Sequence, residues 1–213
     1  MGESTGITGR YPAKQELHFV PRAPFTGRKI MTDTKKGQTL LHVARAAIAK
    51  EFGFVSHDLP RTAWLEEPGA TFVTLTLHGR QHGCIGSLEA QHPLIEDVRR
   101  NAVAAAFQDP RSTPLTKEEF ADVSIEVALL STAETIHFSS EQDALAQLKP
   151  GSDGVVFEYG PHRATFLPHA WADFPHAQDF LARLKSQAGL AEDFWSVDIR
   201  LSRFTIHKWR EGK

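Results

Sequence analysis

From Gln38 onward, apolar residues along the chain fall into two alternating periods. Leu40, Leu41, Ala44, Ala47, Ile48 and Phe52 recur at helical spacing, and Gly53 follows as a stop, which predicts a first helix. Thr71 to Leu77 alternates instead, with Val73, Leu75 and Leu77 on one face and Thr74 and Thr76 on the other, the period of a strand. His78-Gly79 or Gly79-Arg80 can turn the chain back through Gln81 to Leu88. A second helix is expected from Pro93, a first-turn proline, to Phe107, and Asp109-Pro110-Arg111 ends it.

The pattern continues with a second strand, in which Val123, Ile125, Val127 and Leu129 alternate with Ser124, Glu126 and Ala128. Ser140, with Asp143 three residues on, predicts a helix cap, and Pro150-Gly151 closes that short helix. Val155–Tyr159 and Arg163–Leu167 are expected to form a hairpin about Gly160-Pro161. His176 to Ala188 is amphipathic, with Gly189 as its cap, and Arg200 to Trp209 is expected to be a last strand bulged near Arg203. Helices and antiparallel hairpins intermix without a strand–helix–strand rhythm, so the expected class is α+β, a mostly antiparallel sheet with packed helices. Residues 1–34 scatter Gly, Pro, Ser and Thr without periodicity and are expected to be a flexible arm before a domain over 35–213.

Composition narrows the function classes. The chain has 213 residues, 41% apolar and 23% charged, enough to bury a core. Its formal net charge of −2 lacks the basic footprint of a nucleic-acid binder. One cysteine allows no internal disulfide, which suits a reducing cytosol. No signal-peptide stretch opens the chain, and the run Ala102–Phe107 is far too short to span a membrane. A soluble, cytoplasmic protein with no membrane or nucleic-acid partner is expected. Neither a phosphate-loop run nor a dinucleotide fingerprint occurs, and no cofactor is expected.

The single cysteine, Cys84, lies within Gln81-His82-Gly83-Cys84-Ile85-Gly86, between glycines that permit close backbone approach. A two-residue turn would pair like parities and put Cys84 and His82 on the apolar side with Val73 and Leu75. A three-residue loop would instead put Cys84 beside Thr74 and Thr76. Two roles follow. As a small apolar side chain, the thiol simply packs. As a nucleophile, it takes His82 or another histidine as its base, and the amides of Gly83 to Gly86 form an anion-binding concavity.

Other residues offer weaker chemistry. His78, His82 and Cys84, with His92 nearby, lack the supporting ligand spacings of a zinc site, so no metal centre is expected. Asp109 and Arg111 form either a helix-stop ion pair or a ligand contact. Glu126, inside an apolar strand, either faces water on an open sheet side or lines a pocket with Arg111 or a backbone donor.

Taken in order, Gly83-Cys84-Ile85-Gly86-Ser87-Leu88-Glu89, Asn101 to Arg111, Pro114-Leu115-Thr116, Ile125-Glu126-Val127, Asp153-Gly154-Val155 and Phe166-Leu167-Pro168 resemble the AMMECR-type domain family. In prokaryotes this domain is called protein A of the AmmeMemoRadiSam system. The resemblance spans approximately residues 38 to 210. It implies a larger and a smaller subdomain, and as partners a Memo-type protein and a radical S-adenosylmethionine enzyme. Where the family hexapeptide begins Leu-Arg, this chain has Gln81-His82, and a protonated histidine replaces the arginine's charge only in part. The expected function is to bind or position a small molecule, a peptide or a partner at a pocket formed by Gly83, Cys84, Ile85, Gly86, Asp109, Arg111 and Glu126. The alternative is a thiol-dependent enzyme with Cys84 as nucleophile and His82 as base.

Overall fold

A computed structural model describes residues 33–54 and 62–212. In chain order the elements are α1 (Asp33–Glu51), β1 (Pro68–Gly69), β2 (Thr71–Leu77), β3 (Arg80–Gly86), β4 (His92–Pro93), α2 (Leu94–Phe107), β5 (Ser124–Leu130), β6 (Glu134–Ile136), α3 (Glu141–Gln147), β7 (Gly154–Tyr159), β8 (His162–Phe166), α4 (Ala177–Gln187), β9 (Arg200–Phe204) and β10 (Ile206–Arg210). The described residues thus form an α+β fold with three antiparallel sheets. The expected arm, residues 1–34, lies outside the described residues except for Asp33 and Thr34, which open α1.

The first sheet has the strand order β10-β5-β2-β3. Period-two alternation turns Val73, Leu75, Ile125 and Val127 to one face, where they are fully buried against Leu40, Val43 and Ile48 of α1 and Val98 and Ala102 of α2. The second sheet, β6-β9-β7-β8, packs Val155, Phe157 and Leu201 against Phe180, Leu181 and Leu184 of α4. Val156 points the opposite way. It joins Phe204, Ala70 and Leu130, with Phe72, Leu167 and Ile206 packed alongside, in a third cluster that ties the back of one sheet to the other.

Local chemistry explains most boundaries. Gly53, at φ +79°, takes the left-handed position after α1, and Phe54 N–H returns to the Ala49 carbonyl. Ser140 caps α3 by accepting from the Asp143 amide at 3.2 Å. Two boundaries differ from the sequence reading. Pro93 precedes α2 as its N-cap and pairs with Pro68 across the short β1–β4 ribbon. The stretch 200–209 is two strands in different sheets, β9 and β10, and the apparent bulge near Arg203 marks that crossing. At Thr205 the chain passes from sheet to sheet, held by reciprocal bonds with Ser131.

Candidate functional site

The β2–β3 hairpin turns on His78 and Gly79, both at positive φ (49° and 80°), so Leu77 pairs with Arg80 and Thr76 with Gln81. Such a turn matches the strand twist. One step further the register slips: Leu75 pairs with Gly83, leaving His82 as the extra residue of a β-bulge. The slip reverses parity. Cys84 therefore stands opposite Thr74, on the face away from the helices, and the expectation that it shares the side of Val73 and Leu75 is corrected. A bulge did what a longer loop would otherwise have done.

Each motif residue has a distinct packing role. Gly83 lies so close to α2 that an added Cβ would collide with the Ala105 carbonyl oxygen. Ile85 returns to the helix side and joins the first core. Gly86 sits beneath the Phe72 ring. Ser87 donates its amide to the Thr71 carbonyl, while its hydroxyl accepts from Asn101 Nδ2 at 3.2 Å. Asn101 also donates to the Thr71 carbonyl and to Asp97 Oδ2, both at 3.0 Å. The buried Asp97 carboxylate accepts from the Thr71 amide and hydroxyl at 2.8 and 2.7 Å. This buried network is satisfied throughout and stitches the hairpin to α2.

Across the open face, four residues fall in register on neighbouring strands: Arg210, Glu126, Thr74 and Cys84. Thr74 Oγ1 donates to Cys84 Sγ at 3.2 Å. Glu126, with its side chain 16% exposed, accepts from Arg210 Nε at 3.1 Å and pairs with Arg210 Nη2 at 2.9 Å and Lys208 Nζ at 3.7 Å. Its cationic partners come from β10 rather than from Arg111. Cross-strand neighbours lie close enough to interact, so the row makes a continuous polar strip with a thiol at one end and a guanidinium at the other.

Asp109 and Arg111 sit on the other side of β3. Asp109 Oδ2 accepts the Cys84 N–H at 2.8 Å, and Arg111 Nη2 donates to the Cys84 carbonyl at 2.8 Å. Arg111 also donates from Nε and Nη2 to the two Asp109 oxygens at 2.9 and 2.7 Å. That guanidinium, aided by the amides of Cys84 and Arg111 and opposed by burial, holds the Asp109 carboxyl well below the usual carboxylate range. The pair is thus an ion pair just past the end of α2, as one of the two readings had it, and it bonds the backbone of the motif.

The histidines do not converge. His82 has a buried Nε2 without a hydrogen-bond partner, and among the described residues no bond joins it to Cys84. His78 faces Asp122 at 3.9 Å, and His92 lies 2.9 Å from Arg100. Among the described residues, no group of three or more His, Cys, Asp or Glu is placed to hold a metal ion, and no helix is long and apolar enough to cross a membrane. A hollow of about 410 Å³ beside the turn is lined by Leu77, His78, Arg80, Gln81 and His82. A groove of about 1570 Å³ passes the start of α1, Trp209 and Arg210. Cys84 lines neither.

Fold and site together define an α+β domain of two main sheets, with a glycine-flanked thiol on an open sheet face. The chain belongs to the AMMECR1 family, whose model matches residues 41–209. A Sulfolobus acidocaldarius protein is 34% identical over 184 residues, covering 82% of this chain and 81% of its own length. A Methanothermobacter thermautotrophicus protein is 32% identical over 183 residues, covering 83% and 94%. The crystal structure of an uncharacterized protein from Pyrococcus horikoshii superposes with a TM-score of 0.67 at 29% identity, covering 83% of this chain and 92% of that one.

Arg210 and Lys208 were not singled out from the sequence. Thr74 was expected beside Cys84 only with a three-residue loop, and the bulge brings the two together across a two-residue turn. The β10 cations depend on a strand pairing between residues more than eighty positions apart.

Proposed function

We propose that this protein binds and positions a substrate or partner on the open face of its first sheet, at the Gly83-Cys84-Ile85-Gly86 strand. In this reading it is the protein A component of an AmmeMemoRadiSam system, in a cytoplasmic setting that suits an unpaired thiol. A Memo-type protein and a radical S-adenosylmethionine enzyme are its partners, and they carry the redox chemistry. The observation that carries the reading is the in-register row Cys84, Thr74, Glu126 and Arg210, which presents four different polar groups on one sheet face. Its position beside the motif makes the motif a wall of the binding face rather than a catalytic dyad.

The test is co-purification with the two partners, followed by a titration. Cys84→Ser, which keeps a small polar group, is expected to retain the partner. The double variant Glu126→Ala/Arg210→Ala is expected to weaken binding by about tenfold or more, the scale of losing interfacial charge-assisted contacts. Absence of any affinity at micromolar concentration would overturn the reading. The enzyme alternative requires a native thiol that reacts fast with an alkylator and a substrate turned over in a Cys84-dependent way; a thiol inert until unfolding sinks it.

A further inference from the structure

β3 is an edge strand, and its pairing with β2 shows which of its backbone groups face outward. In an antiparallel ladder, residues alternate between hydrogen-bonded pairs and narrower pairs whose N–H and C=O point away from the partner. Cys84 and Thr74 are a narrow pair, since both backbone groups of Cys84 reach outward, the N–H to Asp109 and the carbonyl to Arg111. An edge strand ordinarily leaves such groups to solvent or to a further strand. Here one ion pair supplies the acceptor and the donor together, as a neighbouring strand would. The Asp109 side chain is 2% exposed and the Arg111 side chain 65% exposed, so the clasp has a buried jaw and an outer jaw.

We infer that Asp109 and Arg111 are positioning residues for Cys84: they replace the missing neighbour strand, hold the Cys84 backbone flat, and thereby keep its Sγ against Thr74 on the open face. The inference rests on the reading that this face is the binding face. It replaces the expectation that the pair itself holds a ligand. The geometry favours it because the contacts fall on the motif's own residue and on both of its backbone groups. Gly83, next in line, is covered by α2, so the clasp acts where helix cover ends.

Because Cys84 is the only cysteine, a single alkyl group added to the intact chain reports on this residue alone. The experiment measures the rate of alkylation of the full chain by iodoacetamide, a neutral probe, at increasing low concentrations of urea. The double variant Asp109→Ala/Arg111→Ala removes one charge of each sign, so the local net charge is unchanged. It is expected to react about tenfold faster than the parent, the scale of losing charge-assisted hydrogen bonds, with a rate flat in urea. Arg111→Ala alone, at a largely exposed position, keeps the buried jaw and is expected to fall between the two. Amide exchange at Cys84 should accelerate in step with alkylation while the β2 amides stay protected. A rate equal to the parent's, or one that climbs with urea in parallel with global unfolding, would overturn the inference and leave Asp109 a merely structural residue. No partner enters this measurement, so its failure is distinct from a failure of co-purification.

Discussion

Asp109 shows how one carboxylate ties stability to acidity. Its ionised form is favoured in the fold by Arg111 and two amides, so its folded pKa lies below its unfolded value of about 4. The contribution is therefore complete above pH about 4 to 5 and is lost as the pH falls, because the unfolded chain takes up the proton first. Glu119 and Asp143, held below the ordinary range by bonds from Thr116 and Ser139, act in the same direction from the exposed surface. Asp109→Asn keeps an acceptor for the Cys84 amide but loses the ion pair. Urea unfolding at pH 7 is expected to show a loss of about 1–3 kcal/mol, typical of a hydrogen bond to a charged group. The gap from the parent should narrow as the pH is lowered to about 2; a constant gap would refute the linkage.

The hairpin and α2 behave as one element. Gly83 permits the contact with Ala105, and the network of Asp97, Asn101, Thr71 and Ser87 locks it. A methyl group at Gly83 would meet the Ala105 carbonyl oxygen, a backbone atom of α2 that moves only with the helix. Gly83→Ala is expected to cost about 1–3 kcal/mol as overpacking, read as a lowered urea midpoint with an unchanged slope. A midpoint equal to the parent's would show that the helix–strand spacing is not set there. Much of this element was legible in the sequence. The helix and strand periods, the turn residues and the importance of the motif could all be read from local pattern. The face of Cys84 could not, because one unpaired residue, His82, reverses the parity of everything after it.

In the whole molecule, the third cluster is the joint between the two main sheets. Phe204 is 4% exposed, lies over Gly154 and packs with Val156, Leu130 and Ala70. Its backbone leads directly into the crossing at Thr205, so one ring serves both the joint and the passage from β9 to β10. Phe204→Ala is expected to cost about 3–5 kcal/mol, the range for an aromatic removed from a core. Intrinsic fluorescence and far-ultraviolet circular dichroism, sensing different parts of the fold, should then cease to report coincident transitions. A single coincident transition with a loss under about 1 kcal/mol would place the joint elsewhere. The Glu89–Arg163 ion pair, from the end of the motif to β8, is a second tie, but a partly exposed one and so a weaker one.

Pattern along the chain determined the α+β class, the positions of the main helices and strands, and the family, because periodicity and motif order are local properties of a sequence. Tertiary structure alone decided which face carries Cys84, that β9 and β10 belong to different sheets, and that Glu126 answers to Arg210 and Lys208. It also placed Asp109 and Arg111 on both backbone groups of Cys84. The physical reason is common to all four. Each is settled by a bulge, a sheet edge or a long-range strand pairing, none of which a local period records.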